Sequence, residues 1–562
     1  MASNDHKALP IGIDNFYDIR HGDFCYVDKT YLIQRLLDTK TRAILFSRPR
    51  RFGKSLALNM LRRFFDCNEK EKNRPLFEGL AVAQSERYMA EQGKYPVVFL
   101  NLKDVKGSTQ DRIEEAFKEV LRDAIDPFAY LLRSDKLEPS EKDRLQELLS
   151  CQVSLISLSL SLNRLCSLLA KHHGQPVVIL IDEYDTPLQS AYINGCSQPI
   201  CDLMRNLFSS TLKSNDTLRL GVITGVVRIA KDSLFSGLNN LKVDTILSDK
   251  YADCFGFTPA EVARMAHEYA VPDKIEEIQA WYDGYRFGNQ DIYNPWSVIQ
   301  YFDEGCQPQA YWLDTSSNDL VIEALHNLAE TQHGEVQNLY EGGSVVATVD
   351  TSVTFPQLQS EPGRTDANTL YSLMAVCGYL KPVQHIVDDA YRLVIPNGEI
   401  RKIFAREILR HLQARLRFDK LQELRLAIIC GQSQQFATLL NAYILASLSY
   451  FDTTEKFYHG WMMGLLFALN EEYVCQSNRE AGSGRADIVL KPRQNRVLPG
   501  LIFELKHSAS PEQLPEKAAE ALKQMEERRY VADFSSEVRE VLGYGIAFCQ
   551  KQCEIAQRTW QR

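Results

Sequence analysis

The sequence predicts an α/β fold with a parallel sheet core near the N-terminus, a helical middle region and a C-terminal α/β domain. Two apolar runs, at residues 43–46 and 177–181, are each followed by polar residues, which is typical of buried strands in a parallel sheet. Further apolar runs separated by turn residues after residue 472 predict the C-terminal sheet. We expect four segments (sheet core, helical lid region, loop-rich and helical connector, C-terminal domain) at 1–254, 255–342, 343–445 and 446–562.

The composition is ordinary for a globular protein of this size. The chain has 562 residues, of which 45% are hydrophobic and 24% are charged, so three or four domains are expected. The net charge of −9 argues against a uniformly basic protein that coats nucleic acid, although it is compatible with a local basic groove.

Neither the cysteines nor the apolar stretches indicate an exported or membrane-bound protein. The 13 cysteines include no C-x-x-C pair, so neither a zinc site nor a disulfide framework is predicted, and reduced thiols explain them better. Residues 1–10 are polar, and the most apolar stretch, residues 461–469, is far too short to span a bilayer. We therefore expect a soluble, cytoplasmic protein without a membrane partner.

Residues 41–56 have the layout of a phosphate-binding loop. The apolar run at 43–46 is followed by a loop, and Gly53, Lys54 and Ser55 then open a helix with apolar residues at helical spacing. In such loops, main-chain N–H groups and the helix N-terminus surround the phosphates. Lys54 is expected to contact the β- and γ-phosphate oxygens, and the Ser55 hydroxyl to ligate Mg²⁺.

The loop departs from the motif G-x-x-x-x-G-K-[ST] at its first position, where Arg48 replaces glycine. This change restricts how the loop turns. Arg48, Arg50 and Arg51 add cations that either hold phosphate or pair elsewhere, and a chance Gly-Lys-Ser at a helix start is the alternative. The nucleotide contacts expected from this loop are Arg51, Phe52, Gly53, Lys54 and Ser55.

Two carboxylates follow the second apolar run. Residues 177–181 lead to Asp182 and Glu183, and open α/β sheets bind ligands at the C-terminal edge of their strands. Asp182 is expected to hold Mg²⁺ directly or through water, and Glu183 to polarise the attacking water. A strand that ends in Asp-Glu is common by itself, but together with the upstream loop it predicts an ATP-binding site.

A third predicted strand, at residues 218–225, leads to two more candidates for nucleotide contact. Thr224 either senses the γ-phosphate from an adjacent strand or serves as a cap or turn residue. Arg228 either reaches phosphate, in the same subunit or across a subunit boundary, or forms a structural ion pair. A contact across a subunit boundary would require a homo-oligomer.

The middle of the chain is predicted to be mostly helical. Thr258, Pro259 and Glu261 form the signature of a helix N-terminus with a capping box. Residues 343–368 are rich in Gly, Ser, Thr and Pro and are expected to form a loop-rich connection, and residues 370–380 are expected to be helical. Five aromatic residues either pack in a core or clasp an adenine ring: Trp281, Tyr282, Tyr285, Phe287 and Trp296.

Three residues on two C-terminal strands have the arrangement of a metal-dependent site. Asp487 lies at the start of one predicted strand, and Glu504 and Lys506 lie on the same side of the next. The spacing suits two hairpin-paired strands. Asp487 and Glu504 can jointly hold Mg²⁺, and Lys506 can orient a water nucleophile or stabilise charge on a scissile phosphate. Spacing alone is a weak signal because Asp, Glu and Lys are abundant.

Two further expectations concern the same domain. His459 lies on an apolar helix, where a lone histidine is more often a satisfied core residue than a base. Residues 544–548 form an apolar run that is expected to be the final strand of the sheet.

Several separate motifs resemble those of the bacterial AAA-ATPase-like family, whose members commonly carry a C-terminal PD-(D/E)XK nuclease-like domain. These motifs lie at residues 27–30, 48–55, 181–185, 224–225, 236–240, 281–288 and 293–297. The arginine-rich loop without its first glycine is this family's version of the phosphate-binding motif. The resemblance implies a P-loop NTPase core, a helical lid and a nuclease-like C-terminal domain.

The arrangement at 487–506 likewise resembles the PD-(D/E)XK pattern. Gln524 and Tyr530 match helical residues that follow in that pattern. Glu455 matches the acidic residue often found on the preceding helix, and Glu480 is a rival for that role.

Together these features predict a protein that binds and hydrolyses ATP, coupled to a metal-dependent nuclease that cleaves nucleic-acid phosphodiesters. ATP and Mg²⁺ are the expected cofactors, and nucleic acid is the expected partner. The alternative is a nucleotide-gated binding or scaffold protein whose nuclease-like domain grips nucleic acid or a partner without cutting. A third reading is an ATPase that acts on protein partners alone.

Overall fold

The computed structural model describes residues 6–150, 154–213, 215–227, 240–312, 335, 338–340, 342–352, 367–404, 418–447, 455–466, 469, 472–481, 484–493, 498–535 and 538–561. Contacts divide the chain into two compact units. The first unit comprises Met1–Leu328 and Ser344–Ile400, and the second comprises Ala329–Gly343 and Arg401–Arg562. The predicted connector at 343–445 is thus divided between the units, and the four predicted segment boundaries stay predictions.

A five-stranded parallel sheet forms the centre of the first unit. Its strands are β1 (Ala43–Ser47), β2 (Val97–Asn101), β3 (Val177–Asp182), β4 (Leu218–Gly225) and β5 (Leu241–Asp244). They follow the order β2-β3-β4-β1-β5 across the sheet. β1 and β3 are buried along their whole length, which explains their unbroken apolar runs. β5 is short and half exposed, so its sequence carries no such run.

The parallel arrangement brings the polar ends of three strands to one edge of this sheet. Ser47, at the end of β1, pairs with Gly225, at the end of β4. β4 also pairs in parallel with β3, which ends at Asp182. Because neighbouring strands lie about 4.8 Å apart, the loop after β1 and the carboxylates after β3 flank the end of β4.

The helices of this part connect and cover the strands. In chain order they are α1 (Phe16–His21), α2 (Tyr31–Asp38), α3 (Lys54–Phe65), α4 (Lys70–Asn73), α5 (Glu86–Met89), α6 (Gln110–Ile125), α7 (Pro139–Leu149), α8 (Leu155–His173), α9 (Thr186–Ile193) and α10 (Ser197–Phe208). α3 begins directly after Gly53, as the loop motif predicts, and buries Leu58, Leu61 and Phe64.

The lid region contains α11 (Pro259–Glu268), α12 (Ile275–Tyr282), the hairpin of β6 (Tyr285–Phe287) and β7 (Gln290–Ile292), and α13 (Pro295–Asp303). The predicted capping box is confirmed. The Glu261 N–H donates to the Thr258 hydroxyl at 3.3 Å, and the Thr258 N–H donates to the Glu261 carboxylate at 2.7 Å. Three of the five predicted aromatic residues are buried: Tyr282, Tyr285 and Phe287.

A small antiparallel sheet completes the first unit. Its strands β8 (Val345–Thr348), β9 (Lys381–Val387) and β10 (Ala390–Val394) lie in the order β8-β10-β9, and helix α14 (Ala367–Cys377) precedes β9. The predicted helix at 370–380 is confirmed up to Cys377. The predicted loop-rich connection at 343–368 also contains the short strand β8, where residues alternate between buried and exposed. Residues 353–366 lie outside the described residues.

The second unit combines helices with a mixed sheet. The helices are α15 (Phe418–Ile429), α16 (Ser433–Ser447), α17 (Glu455–Leu466) and α18 (Leu514–Glu527). The strands are β11 (Tyr473–Ala481), β12 (Gly484–Pro492), β13 (Gly500–His507), β14 (Glu540–Cys549) and β15 (Gln552–Gln561), adjacent in that order. Only β13 and β14 pair in parallel. The prediction that residues 544–548 form the final strand is wrong, because the mostly polar β15 follows.

Helix α18 packs closely against this sheet. A Cβ atom on Gly545 would lie 2.3 Å from the carbonyl oxygen of Ala518 on α18, so only glycine allows this approach. Gly545 pairs with Glu504 across the parallel strands. The contact therefore fixes how near the polar side chains of α18 come to Glu504.

Two further observations concern the described part of the chain as a whole. None of its helices is long and apolar enough to cross a membrane. All cysteines within it are free thiols, as expected from the absence of paired spacing.

Candidate functional site

The phosphate loop encloses the ammonium group of Lys54. Gly53 adopts a left-handed backbone conformation with φ of 80° at the N-terminus of α3, which glycine accommodates without strain. The Lys54 Nζ donates to the Pro49 carbonyl oxygen at 3.1 Å and lies 3.8 Å from Glu183 Oε1. A buried cation therefore lies where a loop of this layout binds phosphates.

Arg48, which replaces the first glycine of the motif, pairs with the sheet rather than facing the loop interior. Its guanidinium is fully buried and donates to Asp244 Oδ1 at 2.5 Å and to the Asp244 carbonyl oxygen at 3.1 Å. It also lies 5.0 Å from the centre of the Phe287 ring. Burial lowers the pKa of Arg48, and the adjacent Asp244 counteracts this. Of the two sequence-based alternatives, phosphate binding or pairing elsewhere, the structure places Arg48 in the second.

Phe52 and Arg51 contact the lid region. The Phe52 ring is 1% exposed and packs against Tyr285 at 4.9 Å between ring centres. The Gly256 N–H donates to the Phe52 carbonyl oxygen at 3.1 Å. Arg51 lies 4.4 Å from the centre of the Trp296 ring. The Phe52 ring therefore belongs to the core, and the predicted nucleotide contact at this residue is limited to its main chain.

Asp182 is buried, and only one of its two carboxylate oxygens has a hydrogen-bond partner among the described residues. Its Oδ1 accepts from the Thr224 hydroxyl at 2.5 Å and from the Glu183 N–H at 3.0 Å. Its Oδ2 is buried and has no hydrogen-bond partner among the described residues. Burial raises the pKa of Asp182, as does Glu183, while the hydroxyls of Ser55 and Thr224 lower it. A free buried oxygen beside a serine hydroxyl fits a Mg²⁺ ion, whose preferred ligands are oxygens.

The Thr224 side chain contacts Asp182, whereas the Glu183 side chain contacts Lys54. The Thr224 side chain binds Asp182, so it acts on the carboxylate rather than as a cap. Glu183 adopts φ of 51°, a conformation that is rare for residues other than glycine and clusters at functional sites. Its side chain, 25% exposed, is the less buried partner of the Lys54 contact.

A third acidic residue, Asp185, ends the motif at residues 181–185, and the sequence alone indicates no role for it. It is fully buried, and its Oδ2 accepts from the N–H groups of Val226 and Val227, each at 3.0 Å. Burial, followed by the charge of Glu183, raises the pKa of Asp185 to about 6. Asp185 therefore holds the chain just before Arg228, which itself lies outside the described residues. Only the short Asp-Glu-Tyr-Asp spacing signals this role.

In the second unit, Asp487 and Glu504 meet across β12 and β13. These strands are antiparallel and pair Ile488 with Phe503, so the next position along places Asp487 opposite Glu504. The Leu505 N–H donates to Asp487 Oδ2 at 2.8 Å. Asp487 lies within β12 rather than at its start. The two carboxylates expected to share an ion are thus neighbours.

Glu504 is the inner carboxylate of this second site. It is 2% exposed, and its Oε2 has no hydrogen-bond partner among the described residues. Burial, followed by the charge of Asp487, raises the pKa of Glu504 to about 8. Lys506 Nζ lies 3.7 Å from Glu504 Oε1. The free buried oxygen beside a second carboxylate fits a divalent cation.

Gln524, which the family resemblance indicated, links the members of this site. Its amide group donates to Glu504 Oε1, and its Oε1 accepts from Lys506 Nζ at 2.7 Å. Its amide nitrogen also lies 3.4 Å from the Tyr530 hydroxyl. Gln524 therefore fixes the relative positions of the carboxylate and the ammonium group.

Other candidates contribute less to this site. His459 is 9% exposed, and its Nε2 lies 3.1 Å from the Asp487 carbonyl oxygen, which agrees with a partnered, buried residue. The side chains of Glu455 and Glu480 lie outside the described part of the structure. Within the described ranges, no group of three His, Cys, Asp or Glu residues is placed to hold a metal ion, so this site offers the pair of Asp487 and Glu504.

These observations define a P-loop NTPase-type unit joined to a unit with the carboxylate and lysine arrangement of a PD-(D/E)XK domain. Residues 10–235 match the family described as "Predicted AAA-ATPase", and residues 453–558 match the PD-(D/E)XK nuclease superfamily. The chain therefore carries an AAA-ATPase-like domain and a C-terminal PD-(D/E)XK nuclease-superfamily domain, as the sequence resemblance predicted.

A curated protein is similar to part of this chain. It is an "Uncharacterized protein in vnfD 5'region" of Azotobacter chroococcum mcd 1, 33% identical over 329 residues. The match covers 57% of this chain and 56% of the relative. The chain thus spans little more than half the length of the relative that it matches.

Proposed function

We propose that the first unit binds and hydrolyses ATP at the edge of its parallel sheet, and that the second unit cleaves nucleic-acid phosphodiesters with a divalent cation. The observation that carries the ATPase proposal is the meeting of three groups from two separate parts of the chain. Lys54 lies beside Glu183, and the adjacent Asp182 keeps one buried oxygen without a described partner.

Each side chain at this edge of the sheet would have a different role in ATP hydrolysis. Lys54 would exchange its contact with Glu183 for the β- and γ-phosphate oxygens, because phosphate carries more negative charge. Glu183, once released, would accept a proton from the attacking water. Thr224 would keep Asp182 oriented through its hydroxyl. Ser55 and Asp182 would hold Mg²⁺, which neutralises charge on the phosphates when bound.

Two variants separate binding from hydrolysis. Lys54→Ala should lose both the binding of a fluorescent ATP analogue and phosphate release, because the phosphate-binding cation is gone. Glu183→Gln should keep binding and lose most phosphate release, because only the base is removed. Lys40→Ala, an exposed lysine before β1, is the matched control. Hydrolysis by Lys54→Ala at the wild-type rate would contradict the proposal.

In the second unit, Asp487 and Glu504 would hold the cation that activates a water nucleophile. Lys506, fixed by Gln524, would stabilise the charge that develops on the scissile phosphate. The observation that carries this half is the buried Oε2 atom of Glu504, which has no described partner although it faces a site with a second carboxylate.

A specific observation favours a second candidate function. Burial raises the pKa of Glu504 to about 8, so this group holds a proton at neutral pH until a cation displaces it. The second unit would then grip nucleic acid or a partner under nucleotide control without cutting.

Two cleavage assays distinguish the nuclease from the non-cutting scaffold. They measure plasmid nicking and cleavage of single-stranded RNA, each with Mg²⁺ or Mn²⁺ and with or without ATP. Under the nuclease proposal, Asp487→Ala abolishes cleavage, and Lys54→Ala removes any dependence on ATP. If the wild-type chain binds both substrates and cuts neither under any condition, the scaffold function replaces the nuclease.

The proposal also includes a cytoplasmic location and a homo-oligomer in which Arg228 acts in the same or a neighbouring subunit. Sedimentation with and without a non-hydrolysable ATP analogue tests the oligomer. If the chain remains a monomer in both conditions, Arg228 cannot act in a neighbouring subunit.

A further inference from the structure

Strand β2 lies at one edge of the parallel sheet and is bonded on one side only. Its neighbour is β3: the Val178 N–H donates to the Pro96 carbonyl oxygen, and the Leu102 N–H donates to the Asp182 carbonyl oxygen, each at 3.0 Å. Main-chain groups of successive strand residues point to alternate sides. The main-chain N–H and C=O groups of the even-numbered residues in this segment therefore point toward β3. Those of the odd-numbered residues point away from it.

Three residues of β2 present free main-chain groups on the outer side. The N–H and C=O groups of Val97, Phe99 and Asn101 face away from β3, and none of them has a hydrogen-bond partner among the described residues. Such a row of unpaired donors and acceptors is a template for another strand.

Just before β2 begins, the outer side of the chain is hydrogen-bonded to the segment that follows α3. Tyr95 donates its N–H to the Phe65 carbonyl oxygen at 3.0 Å and accepts from the Cys67 N–H at 2.9 Å. The bridge between Asp66 and Tyr95 is parallel, and the chain then turns away into α4. The place beside residues 97–101 is thus the continuation of a parallel strand that ends at Cys67.

A cavity of about 740 Å³ runs along this free side, a volume typical of ligand sites. Val97, Phe99 and Asn101 line it. One wall comes from α3 and the residues after it, and the other from α6 and the turn that follows. The lining reaches from Asn68 to Lys103, so the cavity extends along the whole strand.

The charges around this cavity have both signs. Its lining includes four basic and four acidic residues. The basic residues are Arg62, Arg63, Lys72 and Lys103, and the acidic residues are Asp66, Glu69, Asp104 and Asp123. The four carboxylates would repel the phosphates of nucleic acid. A peptide, with main-chain donors and acceptors and side chains of either sign, suits such walls better.

One basic group in the cavity, Arg62, makes no hydrogen bond to the described residues, although the charges of Asp66 and Glu69 lie near it. Glu69 already pairs with Arg63 and Lys72. The guanidinium of Arg62 lies 5.5 Å from the centre of the Phe99 ring and donates no hydrogen bond to any described residue. A partly buried guanidinium without an acceptor is a site for an incoming carboxylate.

We propose that the free side of β2 is a docking slot for an extended peptide of a partner protein, which adds a sixth strand parallel to β2 and places an acidic side chain against Arg62. Main-chain pairing supplies affinity, and Arg62 supplies the preference for the acidic residue. Alternate side chains of the added strand face the two walls. This inference does not depend on either proposed catalytic activity.

The first test leaves the protein unchanged. Random 12-residue peptides displayed on phage are selected on the full-length chain, and fluorescent copies of the enriched peptides are titrated. Methylating the peptide N–H groups one at a time should weaken binding about tenfold at every second residue and little in between. The enriched peptides should share an aspartate or glutamate. A methylation profile without a period of two, or no enriched peptide at all, overturns the proposal.

The second test uses variants of β2 and Arg62. Phe99→Pro removes an outward N–H without breaking a bond to β3, whereas Phe99→Ala removes the ring and keeps that N–H. Binding should fall much more in Phe99→Pro than in Phe99→Ala. Arg62→Glu should reject the acidic peptide and accept a copy in which lysine replaces the acidic residue.

Two other occupants have their own signatures. If the chain self-associates and Phe99→Pro abolishes that association, the occupant is a second copy. If a single-stranded RNA oligonucleotide displaces the selected peptide and its own binding depends on Arg62, the slot belongs to nucleic acid. Either result overturns the assignment to a partner's peptide.

Discussion

The buried pair of Arg48 and Asp244 is expected to contribute strongly to the stability of the first unit. The two side chains are 0% and 2% exposed and 2.5 Å apart. Removing either partner leaves the other as a buried, unpaired charge, which costs about 3–5 kcal/mol. Arg48→Gly should lie at the upper end of this range, because it also removes the bonds to the carbonyl oxygens of Ser47 and Asp244.

A double-mutant cycle separates this effect from simple loss of packing. Arg48→Met and Asp244→Leu should each destabilise the unit, while the double variant should lose about 2 kcal/mol less than the sum of the two, since it leaves no unpaired charge. Because the chain has two units and need not unfold in one step, amide hydrogen exchange of residues 43–47 and 241–244 is the appropriate measurement.

The motif supplies a competing expectation. Arg48→Gly restores the glycine of the standard phosphate loop, and a reading based on the motif alone would have it strengthen ATP binding. We expect weaker binding, because the loop loses its attachment to β5. If Arg48→Gly binds the nucleotide more tightly and protects β1 and β5 as well as the wild type does, the structural role assigned to Arg48 is wrong.

Three further predictions follow from individual groups. The pKa of Glu504, raised from 4.5 to about 8, makes the folded, metal-free second unit hold a proton that the unfolded chain releases. Its thermal stability should therefore fall as pH rises from about 5 to 8, and Glu504→Gln should remove that fall. Thr224→Val, which takes a donor from Asp182, should slow ATP hydrolysis about tenfold and shift the acidic limb of its pH profile upward; an unchanged profile would contradict this. Asp185, with its pKa raised to about 6, should make hydrolysis decline below about pH 6, and Asp185→Asn should flatten that decline in a steady-state assay.

Sequence patterns identified the strands that are buried on both faces. β1 and β3 form unbroken apolar runs because both faces of each are covered. β8 and β15 were missed for the opposite reason: their residues alternate or are mostly polar. β8 owes its pairing to β10, which lies far along the chain, and a local pattern carries little of that information. β15 pairs with β14 directly before it, but its polar residues give no apolar run to indicate a strand.

The same distinction holds for the candidate sites. Lys54, Asp182, Glu183, Asp487 and Glu504 were found from the sequence because each follows or lies on a recognisable strand, and parallel or paired strands bring their ends together. The partner of Arg48 could not be found, since Asp244 lies nearly two hundred residues away on a strand without an apolar run. Only the folded sheet places β5 beside β1.

What the motifs leave undetermined is the charge state of the inner carboxylates. Burial raises the pKa of both Asp182 and Glu504, and each keeps one oxygen without a described partner. A proton and a cation compete for that oxygen, so packing decides how readily metal enters. Gly545 is an example of this effect of packing. It pairs with Glu504 across the parallel strands, and α18 packs so closely on it that an added Cβ atom would lie 2.3 Å from a carbonyl oxygen of that helix. A larger residue there would move Gln524 away from Glu504 and let water in. The metal affinity proposed for this site would therefore depend on a glycine that belongs to no catalytic motif.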